Sequence, residues 1–411
     1  MCRNSIFIVL FIINTTLSAQ GVWSSKANLS ENGRYATMFF SANNKGYIGG
    51  GETGPGVYKN DLWEYDPAVA TWTQKADFGG GTCGNIYAPA VFVIDNIAYV
   101  CTGYDINNQF KNTVWAYNPI LNTWAQKNNF PGTARYGAFA FSIGTKGYLG
   151  MGQNLGSLND FWQYNPSTDT WTSLTNFASQ ARYGAIGFSI NGKGYAGFGS
   201  CQGNSVNYND FFEFNPVNNS WTQKASFPGS PRYYPTYFVI NGMAYIGTGN
   251  PTINYNNYPS YSNDFYAYNP LTDSWTPIAT FTESRRAYAA SFTINNKGYI
   301  GMGLSGSPYY SYLSDFWEYS PSSASINENT NNQFAHIDID LINKYLQLTV
   351  NQNSLPAHFR IFDLNGRTVL KTTVNDALQQ INISNLAMGT YIYCLTYKEK
   401  HILSDKFIVV Q

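Results

Sequence analysis

Short runs in which apolar and polar residues alternate recur along most of the chain, and Gly, Asn, Pro or Ser bounds each run. Sequence marks accompany these runs in a fixed order. An Arg-Tyr step opens a unit, a Gly-Tyr or Ala-Tyr step follows, an Asn-Asp-aromatic block such as residues 60–67 comes next, and a Trp ends the unit. Alternation with period two between such turn residues predicts four short strands per unit, named a to d here.

The spacing of these marks is nearly constant through six units. The Arg slot precedes the Tyr by the same interval in every unit, as Arg34 precedes Tyr47. The interval from the Asp slot to the Trp is also constant, and that from the Trp to the next Arg slot is longer only once, between Trp72 and Ile86. The segment from Tyr to Asp, between strands b and c, changes length from unit to unit and is shortest in unit 3 and longest in unit 5. The b–c loops are therefore the part of the framework that tolerates variation.

Four-stranded units that repeat at about 50 residues resemble the Kelch repeat. The marks above carry the resemblance through residues 22–321, and Gly49-Gly50-Gly51 matches the glycine doublet that this family has after strand b. The resemblance implies an all-β fold, with residues 20–321 forming a six-bladed β-propeller.

The sixth unit ends after residues 317–319 without a Trp for its strand d, whereas Trp23 precedes the first Arg slot by the usual interval. We therefore expect a split closing blade. Residues 287–319 supply strands a to c and the segment around Trp23 supplies strand d, which removes the open edges of an unclosed ring.

Two groups of residues are assigned to the architecture. The tryptophans are expected to pack between neighbouring blades. Small residues follow the Arg slot where six strands converge on the axis, at Ala36, Gly137, Ala138, Gly184 and Ala185.

The C-terminal part has a different pattern. Residues 322–336 belong to a Ser- and Asn-rich stretch and are assigned to a linker, and alternating runs at 345–350 and 360–363 suggest a small β-sandwich. The pattern of 364–367 (LNGR) and of 406–410 (KFIVV) resembles the sorting domain of the type IX (Por) secretion system of Bacteroidetes. This resemblance implies that residues 337–411 engage the outer-membrane secretion machinery and that the protein is secreted or held at the cell surface.

The N-terminus agrees with export. Arg3, the apolar run 6–13 and small or polar residues up to Ala19 follow the order of a signal peptide, which we assign to residues 1–19. The apolar run is too short for a membrane span, and we expect none in the mature chain. A Cys83–Cys101 disulfide is conceivable, but a tight hairpin of residues 88–94 and 97–101 would leave Cys83 well past the partner of Cys101.

Charge and histidine content exclude several functions. Lys plus Arg and Asp plus Glu both total 24, so no net field favours nucleic acid. The three histidines, His336, His358 and His401, all lie beyond the propeller. A Ser-His-Asp triad inside the ring is therefore excluded, as is the copper site of galactose-oxidising Kelch relatives, and we expect no metal or other cofactor.

Carboxylate chemistry stays open as an alternative. The loops b–c and d–a open on one face and contain Glu31, Glu52, Asp77, Asp105 and Glu283. Secreted Kelch propellers that interconvert sialic acid anomers are the enzymatic precedent, so a sugar-modifying mutarotase or epimerase is the second hypothesis. We assign no catalytic residue.

The arginines that open strand a allow two interpretations. They could cradle an anion at the mouth of the channel, or each could pair with the Asp of its own blade. Unit 2 has Ile86 in the Arg slot and Thr113 in the Asp slot, whereas every other unit keeps both residues. The joint loss favours pairing within each blade.

The leading hypothesis is a non-catalytic module that binds a glycan or a protein through the variable-loop face. The b–c loops of units 5 and 6 are the longest of the six and are rich in tyrosine. These tyrosines could also simply cover one another. The predicted ligand-binding residues are Tyr255, Tyr258, Tyr309 and Tyr310, with Arg232 and Arg286 at the channel edge.

Overall fold

The computed structural model describes residues 21–411 except 82–83, 108, 202, 204, 252–259, 307–309, 322–334, 341–343, 364–366, 399 and 410–411. At 80–81, 336, 340, 400–406 and 408 it describes the backbone alone. The chain divides into two units between residues 322 and 323. The predicted signal peptide, residues 1–19, lies outside the described residues, as does most of the predicted linker.

The six repeat units form six four-stranded antiparallel sheets with the strand order a-b-c-d. The a strands are Met38–Ala42, Ala90–Ile94, Phe139–Ile143, Ile186–Ile190, Thr236–Ile240 and Ala290–Ile294. The b strands are Lys45–Gly49, Ile97–Cys101, Lys146–Gly150, Lys193–Gly197, Met243–Gly247 and Lys297–Gly301. The c strands are Leu62–Asp66, Val114–Asn118, Phe161–Asn165, Phe211–Asn215, Phe265–Asn269 and Phe316–Ser320. The d strands are Thr71–Lys75, Thr123–Lys127, Thr170–Ser173, Ser220–Lys224, Ser274–Pro277 and, for blade 6, Val22–Ser25.

The closing blade is split as predicted. Val22–Ser25 pairs antiparallel with Phe316–Ser320, and Trp23 is opposite Tyr319 in the register. Each a strand contacts the a strands of both neighbouring blades, including blade 6 with blade 1. The ring is therefore closed by pairing the two ends of the repeat region, and the a strands line its axis.

Tight turns join strands a and b because the sequence supplies residues that tolerate a left-handed backbone. Asp95 and Asn96 have φ of 50° and 60° in the turn between Ala90–Ile94 and Ile97–Cys101. Two successive left-handed residues are typical of the type I′ hairpin. The predicted hairpin is thus present, and Cys101 at its end is a buried free cysteine.

Aromatic side chains fill the spaces between blades, as expected for the tryptophans. Trp221 of blade 4 packs on Phe161 of blade 3 with ring centroids 5.0 Å apart, and Trp275 of blade 5 packs on Phe211 of blade 4 at 5.3 Å. Gly147 shows how closely blades approach, because a Cβ there would lie 2.2 Å from the Phe92 ring of the previous blade.

The described parts of the loops carry little regular structure of their own. Two short hairpins lie in the b–c loops of blades 1 and 6, formed by Glu52–Gly54 with Val57–Tyr58 and by Leu304–Ser305 with Ser311–Tyr312. A 3₁₀ turn, Phe78–Gly81, follows strand d of blade 1.

The second unit contains two antiparallel sheets. The three-stranded sheet has the order Ala335–Asp340, Tyr345–Val350, Leu378–Asn382. The four-stranded sheet has the order Thr368–Val374, Ala357–Asp363, Gly389–Tyr397, Lys400–Val409. Residues of both sheets form one apolar core, which includes Leu348, Phe359 and Leu395. A 3₁₀ turn, Gln352–Ser354, separates the second and third strands. The first strand of the second unit begins at Ala335, shortly before the predicted start of the domain at residue 337.

Candidate functional site

The arginine that opens strand a is buried in five blades and pairs with the aspartate of its own unit. In blade 1, Arg34 Nη1 and Nη2 donate to the two carboxylate oxygens of Asp61 at 2.6 and 3.0 Å. Nη1 also donates to the carbonyl of Gly50, and Nε donates to that of Asn32. The five pairs are Arg34–Asp61, Arg135–Asp160, Arg182–Asp210, Arg232–Asp264 and Arg286–Asp315. The predicted pairing within each blade is confirmed.

Blade 2 lacks the pair and keeps an apolar replacement. Ile86 is buried in the arginine slot. In blades 1, 3 and 6 the strand c tryptophan donates its Nε1–H to the paired aspartate, as Trp162 does to Asp160 at 2.8 Å. The corresponding Nε1–H of Trp115 has no hydrogen-bond partner in the described part of the chain.

Arg232 and Arg286, two of the predicted ligand contacts, lie inside their blades. Arg232 is 1% exposed and Arg286 is fully buried, and each makes a bidentate pair with its aspartate. Each also donates to two backbone carbonyls. Ligand contact by these arginines stays a prediction, and the geometry supports a role in holding the blade together.

Six backbone hydrogen bonds between blades form a closed ring at the second residue after each Arg slot. In each blade, the N–H at this position donates to the carbonyl at the corresponding position of a neighbouring blade, with N···O distances of 2.7–3.2 Å. All six residues have positive φ, between 45° and 63°. They are Ala36, Ala88, Gly137, Gly184, Tyr234 and Tyr288. This ring encircles the channel.

The channel is partly filled from blades 5 and 6. The rings of Tyr234 and Tyr288 stack with centroids 4.0 Å apart. A Cβ on Gly184 would lie 2.8 Å from the Tyr234 ring, and one on Gly137 would lie 2.4 Å from its hydroxyl. The glycines of blades 3 and 4 therefore make room for a tyrosine of blade 5.

A cavity of about 110 Å³ follows the axis between the a strands. Its wall is mostly alanine, glycine and proline, with Phe39, Val91 and Tyr237 farther along the strands. The hydroxyls of Thr37 and Tyr234, which also line the cavity, have no hydrogen-bond partner within the described ranges. Burial also raises the pKa of the Tyr234 hydroxyl well above its ordinary value.

A closed circle of tyrosine rings lies at the end of the channel from which the b–c loops extend. Neighbouring centroids around the circle are 5.4–6.2 Å apart, and all six pairs meet edge to face or at a tilt. The six residues are Tyr35, Tyr87, Tyr136, Tyr183, Tyr233 and Tyr288. Five of them directly follow the Arg slot, and Tyr288 follows Ala287 in blade 6. We call these residues the tyrosine circle.

Further aromatic rings extend the circle outward over blades 6, 1, 2 and 3. Tyr312 contacts Tyr35 and Tyr58 contacts Tyr87, both with centroids 5.7 Å apart. Phe110 stacks on Tyr136 at 5.9 Å and meets Tyr104 at 5.2 Å. All of these outer rings are half-buried, so each keeps part of its surface in solvent. Tyr183 and Tyr233 of the circle are buried, whereas its other four residues are half-buried. These four rings and the outer rings together form a continuous aromatic surface on the variable-loop face.

Glu52 is a buried carboxylate within this surface. Its Oε2 accepts a hydrogen bond from the Tyr35 hydroxyl at 2.6 Å, and its Oε1 accepts one from the N–H of Gly56 at 3.0 Å. Burial raises the pKa of Tyr35, and the hydrogen bond to Glu52 raises it further. The negative charge of Glu52 also adds to the rise in the pKa of Tyr58 and Tyr312 that burial causes.

The other loop carboxylates differ from Glu52. Asp105 is buried but forms a 2.6 Å ion pair with Lys111. Burial alone would raise the pKa of Asp105, but Lys111 and two backbone N–H groups outweigh burial and lower it. Glu31, Asp77 and Glu283 are half-buried. Of the five loop carboxylates, Glu52 is therefore the one that combines burial with a position among aromatic rings.

The predicted tyrosine contacts are described only in part. Tyr255, Tyr258 and Tyr309 lie outside the described residues, and Tyr310 is 57% exposed. Tyr261, from the same loop as Tyr255, is buried against Ala287 and Leu304. One tyrosine of these loops thus packs within the protein, while Tyr310 presents its ring to solvent.

Sequence reasoning missed the tyrosine circle. The tyrosine that follows the Arg slot is a mark of the repeat and is not among the predicted site residues. The signal was present, because the step recurs at Tyr35, Tyr136, Tyr183 and Tyr233 and unit 2 keeps Tyr87 after its isoleucine.

Two further findings limit what the described residues can do. They contain no group of three or more His, Cys, Asp or Glu residues placed to hold a metal ion. Their helices are also all too short or too polar to cross a membrane.

Comparison with known proteins agrees with this architecture. Residues 3–196 match the model of the KLHDC2/KLHL20/DRC7 Kelch-repeats domain, and residues 342–410 match the secretion system C-terminal sorting domain. No curated protein matches the chain. Among solved structures, that of YjhT superimposes with a TM-score of 0.60 at 18% identity, covering 71% of this chain and 96% of that one. The two family matches, the six blades and the structural likeness together identify the chain as a Kelch-repeat β-propeller with a type IX sorting domain of the Bacteroidetes kind, secreted or held at the cell surface.

Proposed function

We propose that the propeller is a non-catalytic binding module that recognises a glycan or a protein through its variable-loop face. The observation that carries the proposal is the continuous aromatic surface formed by the half-buried rings of the tyrosine circle and by its outer rings. Half-buried aromatic rings offer a large contact area at little cost in conformational entropy, and tyrosine adds a hydrogen-bonding hydroxyl.

The position of this surface supports the same function. It lies on the face formed by the loops whose length varies most between units, and such loops commonly carry binding residues on a rigid scaffold. Tyr310 adds an exposed ring in the b–c loop of blade 6. We include Tyr255, Tyr258 and Tyr309 in the proposed contact set on the sequence pattern of the two long loops.

The enzymatic alternative receives less support from the described residues. A mutarotase that handles an anionic sugar needs an arginine free to bind the substrate carboxylate. The five arginines that open strand a are instead occupied by aspartates, and the exposed Arg285 beside Arg286 is the arginine that this alternative would have to use. We therefore keep binding without catalysis as the proposed function.

A glycan array with the full-length protein tests the proposal. The outer rings Tyr104 and Phe110 are replaced by Ala in one double variant, and Tyr258 and Tyr309 in a second. Leu271, which is 84% exposed in a c–d turn on the opposite face, is replaced by Ala as the control. A nucleic-acid base stacked on an aromatic side chain contributes about 1–3 kcal/mol to binding. If each aromatic ring here contributes a similar amount, each double variant should bind about tenfold or more weakly.

The outcomes separate binding from packing. Weaker binding at an unchanged thermal midpoint supports the aromatic surface as the site, and the Leu271→Ala control should bind normally. If the affinity for the array ligands is the same in all variants, the variable-loop face is not the binding face. A large fall in the thermal midpoint for the Tyr258/Tyr309 variant would show that those tyrosines pack the loops.

A further inference from the structure

The charge on Glu52 has no counterpart in the described residues, and this distinguishes it from the other buried acids. Four carboxylates there are buried: Glu52, Glu64, Asp105 and Glu318. The last three each form an ion pair with a lysine, at 3.2, 2.6 and 2.8 Å. Glu52 accepts hydrogen bonds from Tyr35 and Gly56 but is paired with no cation in this part of the chain.

A buried carboxylate is costly unless a positive charge or several hydrogen bonds compensate it. A carboxylate can accept about four hydrogen bonds, and Glu52 uses two. It is 9% exposed, so part of the residue still reaches solvent. The group therefore retains both acceptor capacity and an unneutralised charge at the surface.

Comparison of the six blades shows that this carboxylate is not needed for folding. The same position, which pairs through an isolated β-bridge with the residue directly after the Arg slot, holds Tyr104, Gln153, Ser200, Asn250 and Leu304 in the other blades. In blade 3, Tyr136 donates to Gln153 Oε1 at 3.0 Å, which is the neutral version of the Tyr35–Glu52 contact. The fold is satisfied by the neutral pair, so the charge in blade 1 calls for another explanation.

The surroundings favour an organic cation over a metal ion. The described residues around Glu52 include no second carboxylate, histidine or cysteine placed to complete a metal site. They are tyrosines instead, and aromatic rings attract ammonium groups over their faces. The rings of Tyr58 and Tyr312 are near enough for the charge on Glu52 to raise their pKa.

We propose that Glu52 and the tyrosines around it form a subsite for a primary ammonium group of the ligand. The proposal rests on the proposed binding function and specifies its ligand chemistry. An amino sugar and a lysine side chain both carry this group. Glu52 accepts a charge-assisted hydrogen bond from the ammonium, and Tyr35 orients the carboxylate.

Two pairs of probes test the subsite by calorimetric titration of the full-length protein. The first pair is a glucosamine tetramer and its N-acetylated form, and the second is a lysine-containing peptide and the same peptide with acetyl-lysine. Hydrogen bonds to charged groups contribute about 1.5–3 kcal/mol, so one ammonium probe should bind about tenfold or more tightly than its acetylated partner. The pair that shows the preference identifies the source of the ammonium.

Glu52→Gln is the matched variant, because blade 3 already folds with glutamine in this position. It should bind the ammonium and acetylated probes equally, with an unchanged thermal midpoint. The subsite is overturned if the wild type binds both members of each pair with equal affinity, a comparison that needs no substitution. It is also overturned if a preference for the ammonium probe survives in Glu52→Gln.

The failure of the subsite can be told apart from the failure of the proposed function. If the wild type shows no preference but glycans on the array still bind in a manner that depends on Tyr104 and Phe110, the aromatic surface remains the site and Glu52 has no role in recognition. If both double variants, that of Tyr104 and Phe110 and that of Tyr258 and Tyr309, leave array binding unaltered, the proposed function itself is refuted.

Discussion

The Arg135–Asp160 pair of blade 3 should behave as a single energetic unit, and blade 2 supplies the design for the test. Arg135 has no exposed side-chain surface, whereas the side chain of Asp160 is 27% exposed. The perturbation is to replace the pair by the residues that blade 2 uses, giving Arg135→Ile, Asp160→Thr and the double variant.

Asp160→Thr should be the most damaging substitution. It leaves the Arg135 guanidinium buried without its counter-ion, and breaking a buried ion pair by removing one partner costs about 3–5 kcal/mol. It also removes the acceptor for Trp162 Nε1–H.

Arg135→Ile should cost less, about 2–3 kcal/mol, because Asp160 can be hydrated through its exposed part. The remaining cost comes mainly from the carbonyls of Thr133 and Met151, which lose their donor and are left with weaker or no hydrogen bonds. The double variant removes both charges and should be more stable than Asp160→Thr alone. The interaction energy should then be about 2–3 kcal/mol.

Urea unfolding of the full chain followed by tryptophan fluorescence measures these differences for the propeller alone, because all ten tryptophans lie between Trp23 and Trp317. Additive losses, with the double variant as unstable as the sum of the two single variants, would refute the argument. They would show that blade 2 tolerates Ile86 and Thr113 for separate reasons.

Three further outcomes are expected. Gly184→Ala should lower the urea midpoint more than Gly192→Ala, because both residues have positive φ but only the Cβ at 184 meets the Tyr234 ring, and equal losses would contradict a filled channel. Burial alone would raise the pKa of Glu318, but Lys297 and other neighbours outweigh burial, and the pKa is lowered overall. Folding therefore favours the ionised form of Glu318. The stabilisation by ionised Glu318 is therefore present above the pKa of about 4.3 in the unfolded chain, and it is lost as the pH falls through the lower pKa in the folded protein. Glu318→Gln should therefore lose less stability than the wild type on acidification. Removal of residues 337–411 should leave a folded propeller that cell fractionation finds retained in the cell, and normal export would exclude a sorting role.

The architecture could be predicted because it is repeated in the sequence. Constant spacing between the Arg slot, the tyrosine, the Asp slot and the tryptophan defines the strands, and the missing tryptophan after Trp317 reveals the split blade. The Arg–Asp pairs were predictable for a related reason, since Ile86 and Thr113 replace both partners together, as expected where the loss of one partner alone would leave the other charge buried at a high cost.

The channel could not be derived in the same way. Convergence of the strands on the axis explains the small residues after the Arg slot in units 1, 3 and 4, and Ala36 and Gly137 agree with that expectation. Tyr234 and Tyr288 do not follow it. Their rings fit because Gly137 and Gly184 leave space across the axis, and such compensation between blades depends on the closed ring, which no single repeat shows.

The six blades also separate structural positions from functional ones. A position that is the same in every blade, or that changes together with its partner, is explained by the closure of the ring, and the Arg–Asp pair belongs to this class. The residue that forms a backbone bridge with the position directly after the Arg slot is different in each blade, while the backbone contact stays the same. Since folding does not select the side chain there, recognition of a ligand can, and Glu52 is the one charged residue among the six.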